Sequence, residues 1–196
     1  MNKWSEIKQA TLDKLFLSEE EARQQGYLSK FKYLANECLN IIANGVKPRI
    51  VGFKFELVDD SIDKSDFKYH MGDVITMPDD FISFSDMIIL HNNKPYDDIV
   101  YLGDKDITVG ELGEYLIYYN ANWEEITEDD IKNDNKLSTH ISVINCLPTY
   151  MASQCLSQDD VQRSAILKND FELMLSRLDA NILYQNNSFR STGGWY

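Results

Sequence analysis

A change of hydrophobic period near residue 48 is the feature that most constrains the fold of this chain. Before it, apolar residues recur every three or four positions and form one helical stripe: Leu28, Phe31, Leu34, Ala35, Cys38, Leu39 and Ile42. After it, every second residue is apolar: Val51, Phe53, Phe55 and Leu57. Since the two periods cannot belong to one element, a helix is expected to end and a β-strand to begin here.

Two helix signals precede this change. Residues 3–16 carry apolar side chains at three- and four-residue steps, which predicts a short amphipathic helix. Ser18 and Glu21 have the spacing of a capping box, so a second helix is expected to begin there. Gly45 is expected to supply a left-handed C-terminal cap, and Pro48 prevents the helix from continuing.

Residues 48–136 are predicted to form a β-rich insert. After the first strand, the alternating pattern indicates further short strands at 67–71, 74–77, 87–90, 99–102 and 114–120. Turn-forming residues separate them, and no helical spacer of the length needed for a parallel crossover intervenes. An antiparallel sandwich or a small barrel is therefore expected, and a parallel nucleotide-binding sheet is disfavoured.

Helical periodicity returns after an acidic, polar connection at 124–136. Pro148 is expected to kink the returning helix or to mark its first turn. Ser157 and Asp160 repeat the capping spacing before a long last helix. The predicted organisation is N-terminal helices at 1–47, the insert at 48–136, C-terminal helices at 137–185 and an arm at 186–196. We therefore expect an α+β fold, in which a bundle of helices from both ends carries an inserted antiparallel β-sandwich or small barrel.

The charge balance disfavours a nucleic-acid reader. The chain has 32 acidic and 19 basic side chains, for a net charge of −13, and its longest basic stretch holds only Lys30 and Lys32. The first residues lack the apolar core of a secretory signal, and no stretch approaches the roughly 20 apolar residues of a membrane span. Synthesis in a cytoplasm, without membrane association, is expected. Apolar neighbours predict packed, reduced thiols at the three cysteines: Cys38, Cys146 and Cys155.

The sequence predicts no catalytic, cofactor-binding or metal site, and thus no enzyme. His70, His91 and His140 are far apart, and none lies at ligand spacing from a cysteine. The Asp-Asp doublets fall mostly in predicted turns, where aspartate bonds its own backbone. Nucleophile elbows, dinucleotide-binding loops and phosphate-binding loops are absent from the sequence.

Aromatic residues are the remaining candidates for contact with a partner. Tyr115 and Tyr119 would share one face of a strand that is buried on both sides. Trp123 follows in a loop as a plausible exposed ring, so a carbohydrate-binding β module is an alternative function. Phe189 and the pair Trp195-Tyr196 lie in a polar arm, where large rings suit an anchor in a neighbour's pocket. A return of the arm onto its own subunit stays open.

Six short segments, in this order and spacing, resemble head-tail connector or adaptor proteins of tailed bacteriophages and prophages from Gram-positive hosts. They are Trp4-Ser-Glu-Ile7, Tyr33-Leu-Ala-Asn-Glu37, Tyr118-Tyr-Asn120, Leu147-Pro-Thr-Tyr-Met-Ala-Ser-Gln154, Phe171-Glu172 and Gly194-Trp195. The resemblance implies a non-enzymatic virion protein, made in the host bacterial cytoplasm, that forms a ring in the neck. The implied ring is a dodecamer that matches the portal, contacts it and tail-proximal neck proteins, and lets DNA pass without sequence-specific binding. A tail or baseplate adaptor is the alternative location.

Overall fold

The computed structural model describes residues 2–59, 61 and 67–187, with the backbone alone at 85–87 and 179–187. The chain divides into two compact units. A helical unit combines the residues up to Lys47 with those from Trp123 onward, and a β unit comprises Pro48–Asn122. The fold is therefore mixed α+β, as expected. The sequence predicted that the β-rich insert ends at residue 136, but the β unit ends at Asn122, 14 residues earlier. The reason is that residues 123–136 contact the helices.

The helical unit contains α1 (Trp4–Leu15), α2 (Glu19–Gln24), α3 (Phe31–Gly45), α4 (Glu128–Asn133), α5 (Ile141–Ile144), α6 (Leu147–Cys155) and α7 (Val161–Asn187). The predicted capping box of α2 is confirmed, since the Ser18 amide donates to Glu21 Oε2 at 2.8 Å and the Glu21 amide donates to Ser18 Oγ at 3.3 Å. The left-handed cap predicted at Gly45 is wrong, because Gly45 is the last residue of α3 itself and Val46 follows at φ −135°.

Helix α6 occupies the centre of the helical unit. Nearly all its side chains are buried, and it packs against α1, α3 and α7. The Tyr150 ring lies 5.0 Å from the Phe171 ring of α7, measured between centroids. Pro148 lies in the first turn of α6, one of the two positions expected for it.

The start of α7 corrects one capping prediction. The Arg163 amide donates to Asp160 Oδ1 at 3.1 Å, so Asp160 caps the helix. Ser157 instead donates its hydroxyl to the Gln154 carbonyl at the end of α6, 2.8 Å away. From Val161 to Asn187 the helix spans about 40 Å and extends two residues into the region assigned to the arm.

The described part of the β unit forms two sheets. Its strands are β1 (Arg49–Val58), β2 (Lys68–His70), β3 (Ile75–Thr76), β4 (Phe81–His91), β5 (Lys94–Pro95), β6 (Ile99–Tyr101), β7 (Asp106–Val109) and β8 (Gly113–Ala121). One sheet has the order β2-β1-β8-β4-β5, and the other has the order β3-β7-β6. Pairing is antiparallel except between β1 and β2, which are parallel, contrary to expectation. Across these strands neither sheet closes on itself.

Apolar side chains from both sheets share the core of the β unit. Phe55 of β1 stacks on Tyr115 of β8 with ring centroids 5.0 Å apart and planes inclined by 7°. Ile117 is fully buried beside it. The prediction that β8 is buried on both faces is wrong, because Tyr118 on the opposite face is 37% exposed. Only one face of the larger sheet therefore meets the core.

Candidate assembly surface

Trp123 is buried in the helical unit. Its indole Nε1 donates a hydrogen bond of 2.8 Å to the Lys47 carbonyl, and only 9% of the residue is exposed. The exposed ring expected from the sequence is therefore wrong. Stacking on a sugar needs an open aromatic face, which a ring packed in this way does not offer.

The acidic segment that follows Trp123 is tied to α3 rather than crossing the surface as a connection. The Asn36 side chain donates to the Ile126 carbonyl at 3.1 Å and accepts from the Ile126 amide at 2.8 Å. Lys32 pairs with Glu128 at 2.6 Å. Because one amide side chain satisfies both backbone groups of Ile126, it fixes this segment as an added strand would.

A second tie joins the start of the chain to the same segment. The Ser5 amide and hydroxyl each donate 2.9 Å hydrogen bonds to the Asp134 carboxylate, one to each oxygen. The Leu137 amide also donates to the Asn2 carbonyl at 2.8 Å. The hydrogen bonds from the Ser5 backbone and side chain lower the pKa of Asp134 from its ordinary value of 3.8. The two chain segments of the helical unit are thus joined through polar contacts as well as through the core.

Helix α7 exposes two large apolar side chains away from its buried side. Leu167, Phe171 and Leu178 are buried on one side, as the amphipathic pattern requires. On another side, Ile166 is 61% exposed and Leu173 is 57% exposed, and their seven-residue spacing places them on one line of the helix. We call Ile166 and Leu173 the outer stripe. Neither residue was used in the sequence-based prediction of this helix, although their seven-residue spacing is visible in the sequence.

The start of α7 is anchored on the end of α1. The Arg163 guanidinium donates to the carbonyls of Lys14 and Leu15, the latter at 3.2 Å, and lies 4.2 Å from the centre of the Phe16 ring. These carbonyls have no partner within α1, so a cation there also favours the helix dipole. Phe16 itself remains 82% exposed. The outer stripe therefore lies on a helix whose first turns are fixed to the rest of the unit.

The solvent face of α3 forms a groove of about 590 Å³. Tyr33 is 68% exposed and Ile41 is 40% exposed on its wall, and Glu37 and Glu125 add two carboxylates. Burial and then a hydrogen bond to Glu37 raise the pKa of Tyr150, which lies beneath Glu37 in α6. We call this feature the α3 groove. Tyr33 and Glu37 belong to a segment that carries the family resemblance, although sequence analysis assigned neither to a contact.

The three cysteines are buried, as predicted. Burial raises the pKa of Cys146 and of Cys155 to about 11, and it raises the pKa of Cys38 well above its ordinary value. Thiols held protonated in this way are poor nucleophiles at neutral pH. Their side chains therefore act here as core packing.

Within residues 2–59, 61 and 67–187, histidine, cysteine, aspartate and glutamate do not gather into any group of three or more that could hold a metal ion. Among the described helices, none combines the length and the apolar character needed to cross a membrane.

Three of the predicted contact residues, Phe189, Trp195 and Tyr196, lie outside the described residues. The candidate surface thus consists of the outer stripe and the α3 groove.

Comparison with known proteins finds no family model that matches the chain and no matching curated protein.

Proposed function

We propose that this protein is a non-enzymatic virion structural protein, a head-tail connector or adaptor that assembles into a ring between portal and tail. The observation that carries the proposal is the outer stripe of α7, a pair of exposed apolar side chains on a helix that is already packed on its other side. The finer architecture belongs to the same proposal. The helices form a bundle that packs between subunits, and the β unit is a sandwich-like insert that projects from the ring.

The magnitudes are compatible with such a role. Full burial of an Ile or Leu side chain contributes about 1.5–3 kcal/mol, so covering the exposed parts of Ile166 and Leu173 contributes about 2–3 kcal/mol per interface. That contribution supports an interface but does not make one alone, which suits a ring whose subunits also bind a portal. The net charge of −13 favours a lumen that repels phosphates and lets the duplex slide.

The carbohydrate alternative loses its main support because the Trp123 ring is buried and hydrogen-bonded to Lys47. A tail or baseplate adaptor would use the same helical surfaces and differs only in the ring that it contacts. Binding to portal rings therefore discriminates between the two locations.

The test compares the full-length protein with a double variant, Ile166→Gln with Leu173→Gln. Glutamine keeps the helix propensity and removes the apolar surface. We expect the unaltered protein to form rings and to bind portal rings from the same genome, and we expect the double variant to remain monomeric. Light scattering after size-exclusion chromatography measures the mass, and negative-stain microscopy shows the rings.

Val161→Gln is the matched control. Val161 is 66% exposed on the same helix, but five residues before Ile166 it points to a different side. This control is expected to assemble normally. A protein that stays monomeric at high concentration and leaves portal rings bare would refute the connector assignment, and assembly of the double variant would show that the outer stripe is not the interface.

A further inference from the structure

The α3 groove has the size and chemistry to receive an extended peptide with aromatic and basic side chains. Tyr33 and Ile41 present apolar surface, while Glu37 and Glu125 supply negative charge. Lys32, which also lines the groove, is paired with Glu128 at 2.6 Å, so its charge is already compensated. The groove therefore favours a ligand that combines rings with a cation.

This chain contains a segment of that composition. Residues 188–196 read Ser188-Phe189-Arg190-Ser-Thr-Gly-Gly-Trp195-Tyr196, with three large rings, one arginine and no acidic side chain. The charged side chain of this segment is the cation of Arg190, whereas the whole chain has a net charge of −13. Trp, Tyr and Arg are also the residue types that most often dominate binding energy in protein interfaces.

The length of residues 188–196 is sufficient to reach an α3 groove. Met174 of α7 lies beside Thr149 of α6, with Sδ 3.6 Å from the Thr149 hydroxyl, and the neighbouring Tyr150 contacts Glu37 of the groove. From Met174 to Asn187 the helix advances about 20 Å beyond this level. The groove extends in the same direction along α3, because Lys47 lies beside Ser142 and Glu37 lies beside Tyr150. Residues 188–196 reach at most about 30 Å, which is enough to span the distance to such a groove, and the proposed ring assigns that groove to a neighbouring copy.

We infer that residues 188–196 of one copy bind the α3 groove of a second copy. The Trp195 and Tyr196 rings pack on Tyr33 and Ile41, and Arg190 faces the carboxylates of Glu37 and Glu125. This contact deepens the proposed function, on which it rests, since it names the segment that links neighbouring subunits.

Photo-cross-linking in the full-length protein tests the contact. A Trp195→p-benzoylphenylalanine variant is mixed with an equal amount of ¹⁵N-labelled unaltered protein, illuminated and digested with trypsin. Trypsin cuts after Lys32 and Arg190 and does not cut between Lys47 and Pro48, so residues 33–49 and 191–196 fall in separate fragments. We expect cross-linked pairs of mixed isotope that join these two fragments. The same cross-linker in place of Phe16, which is 82% exposed, is the matched control and should not label residues 33–49 of another copy.

Charge reversal tests the ionic part of the contact. Arg190→Glu in the cross-linking variant, or Glu125→Lys in the ¹⁵N-labelled protein, should lower the yield of mixed-isotope pairs about threefold to tenfold. Where Arg190 is replaced, the arm fragment is residues 178–196, because trypsin then cuts after Arg177. The two reversals together should restore it, because the pair is then re-formed with opposite signs. Glu125 is chosen over Glu37 because it is exposed, whereas Glu37 also contacts the buried Tyr150.

The outcomes separate this inference from the proposed function. Mixed-isotope cross-links to residues 33–49, restored by the double reversal, support it. Three results would overturn it, even if rings form. These are cross-links to other fragments, cross-links within one copy alone, and a yield that neither charge reversal changes. If the groove is labelled between copies but neither rings nor portal binding occur, the connector assignment fails and the arm contact stands.

Discussion

The two units of this protein are built from the chain in opposite ways. The β unit uses one continuous stretch, Pro48–Asn122, whereas the helical unit combines residues from both sides of that stretch. Helices α1 and α3 come from the first part, and α6, at the centre of their core, comes from the second. The comparison teaches that the helical unit cannot be complete before the whole insert has been synthesised, whereas the β unit is contiguous in the chain.

The points at which the chain leaves and re-enters the helical unit are adjacent. Trp123 Nε1 lies 2.8 Å from the Lys47 carbonyl oxygen, and Arg49 pairs with Ala121 at the base of the β unit. Insertions with neighbouring ends disturb their host little, because the host elements keep their spacing. The insert is therefore expected to be dispensable for the fold of the helical unit.

Excision of the insert is the strongest test of this comparison. Replacing residues 48–122 with a short Gly/Ser linker should leave a helical protein that unfolds cooperatively, because Lys47 and Trp123 already meet. Circular dichroism during heating measures the transition. Deletion of residues 48–136 is the matched control. It also removes Trp123, Asp134 and Ile126, which is the partner of Asn36. This deletion should abolish the cooperative transition or lower its midpoint by many degrees. Equal behaviour of the two deletions would show that residues 123–136 do not belong to the helical unit.

The amino-acid pattern predicts elements better than it predicts what they contact. Most helices and strands follow from the hydrophobic period, and so does the burial of the cysteines, but α4 lies where a polar connection was expected. The sequence predicts a polar connection at 124–136 because the groups that fix this segment are distant along the chain: Asn36, Ser5 and the Lys47 carbonyl. Hydrophobic periodicity contains no signal for such hydrogen bonds between side chains and backbone.

The candidate surface shows the same limit. The apolar residues of α7 predict a helix, but they do not predict which of its sides is covered. Phe171 is buried whereas Ile166 is exposed, and the pattern alone cannot tell an inner face from an outer one. Trp123 illustrates the converse, since a tryptophan in an acidic loop was expected to be exposed and is packed. The side on which a neighbouring element lies decides both cases, and that is a property of the tertiary fold.

Substitution of Asn36 gives a smaller test of the connection between the two parts of the helical unit. Asn36→Ala leaves the Ile126 amide and carbonyl without their partner, which should lower the free energy of unfolding by about 1–3 kcal/mol. Urea denaturation followed by fluorescence measures the change. Asn40→Ala, one turn further on the exposed face of α3, is the matched control and should change stability by less than about 0.5 kcal/mol. Similar losses for both would mean that helix propensity, rather than the link to Ile126, is responsible.

Asp134 offers the smallest and most specific test, because its contribution depends on pH. Hydrogen bonds from Ser5 lower the pKa of Asp134 below its ordinary value of 3.8. A group with a lowered pKa in the folded state stabilises fully above the unfolded pKa, and loses that effect as the pH falls through the folded pKa. The melting temperature of Asp134→Asn should therefore lie below that of the unaltered protein at about pH 6, and the gap should close below about pH 3.

The gap between the two melting curves isolates Asp134 from the other carboxylates whose pKa values are lowered, such as Glu21 and Asp130, since these titrate in both proteins. Asp98→Asn replaces an exposed carboxylate of the β unit and is the matched control, for which we expect a melting temperature at about pH 6 close to that of the unaltered protein. If the gap at Asp134 persists in acid, the link depends on packing rather than on charge. If it never appears, the start of the chain is not held by this carboxylate, and the two segments are joined by the other contacts between them, such as those of Asn36 and Trp123.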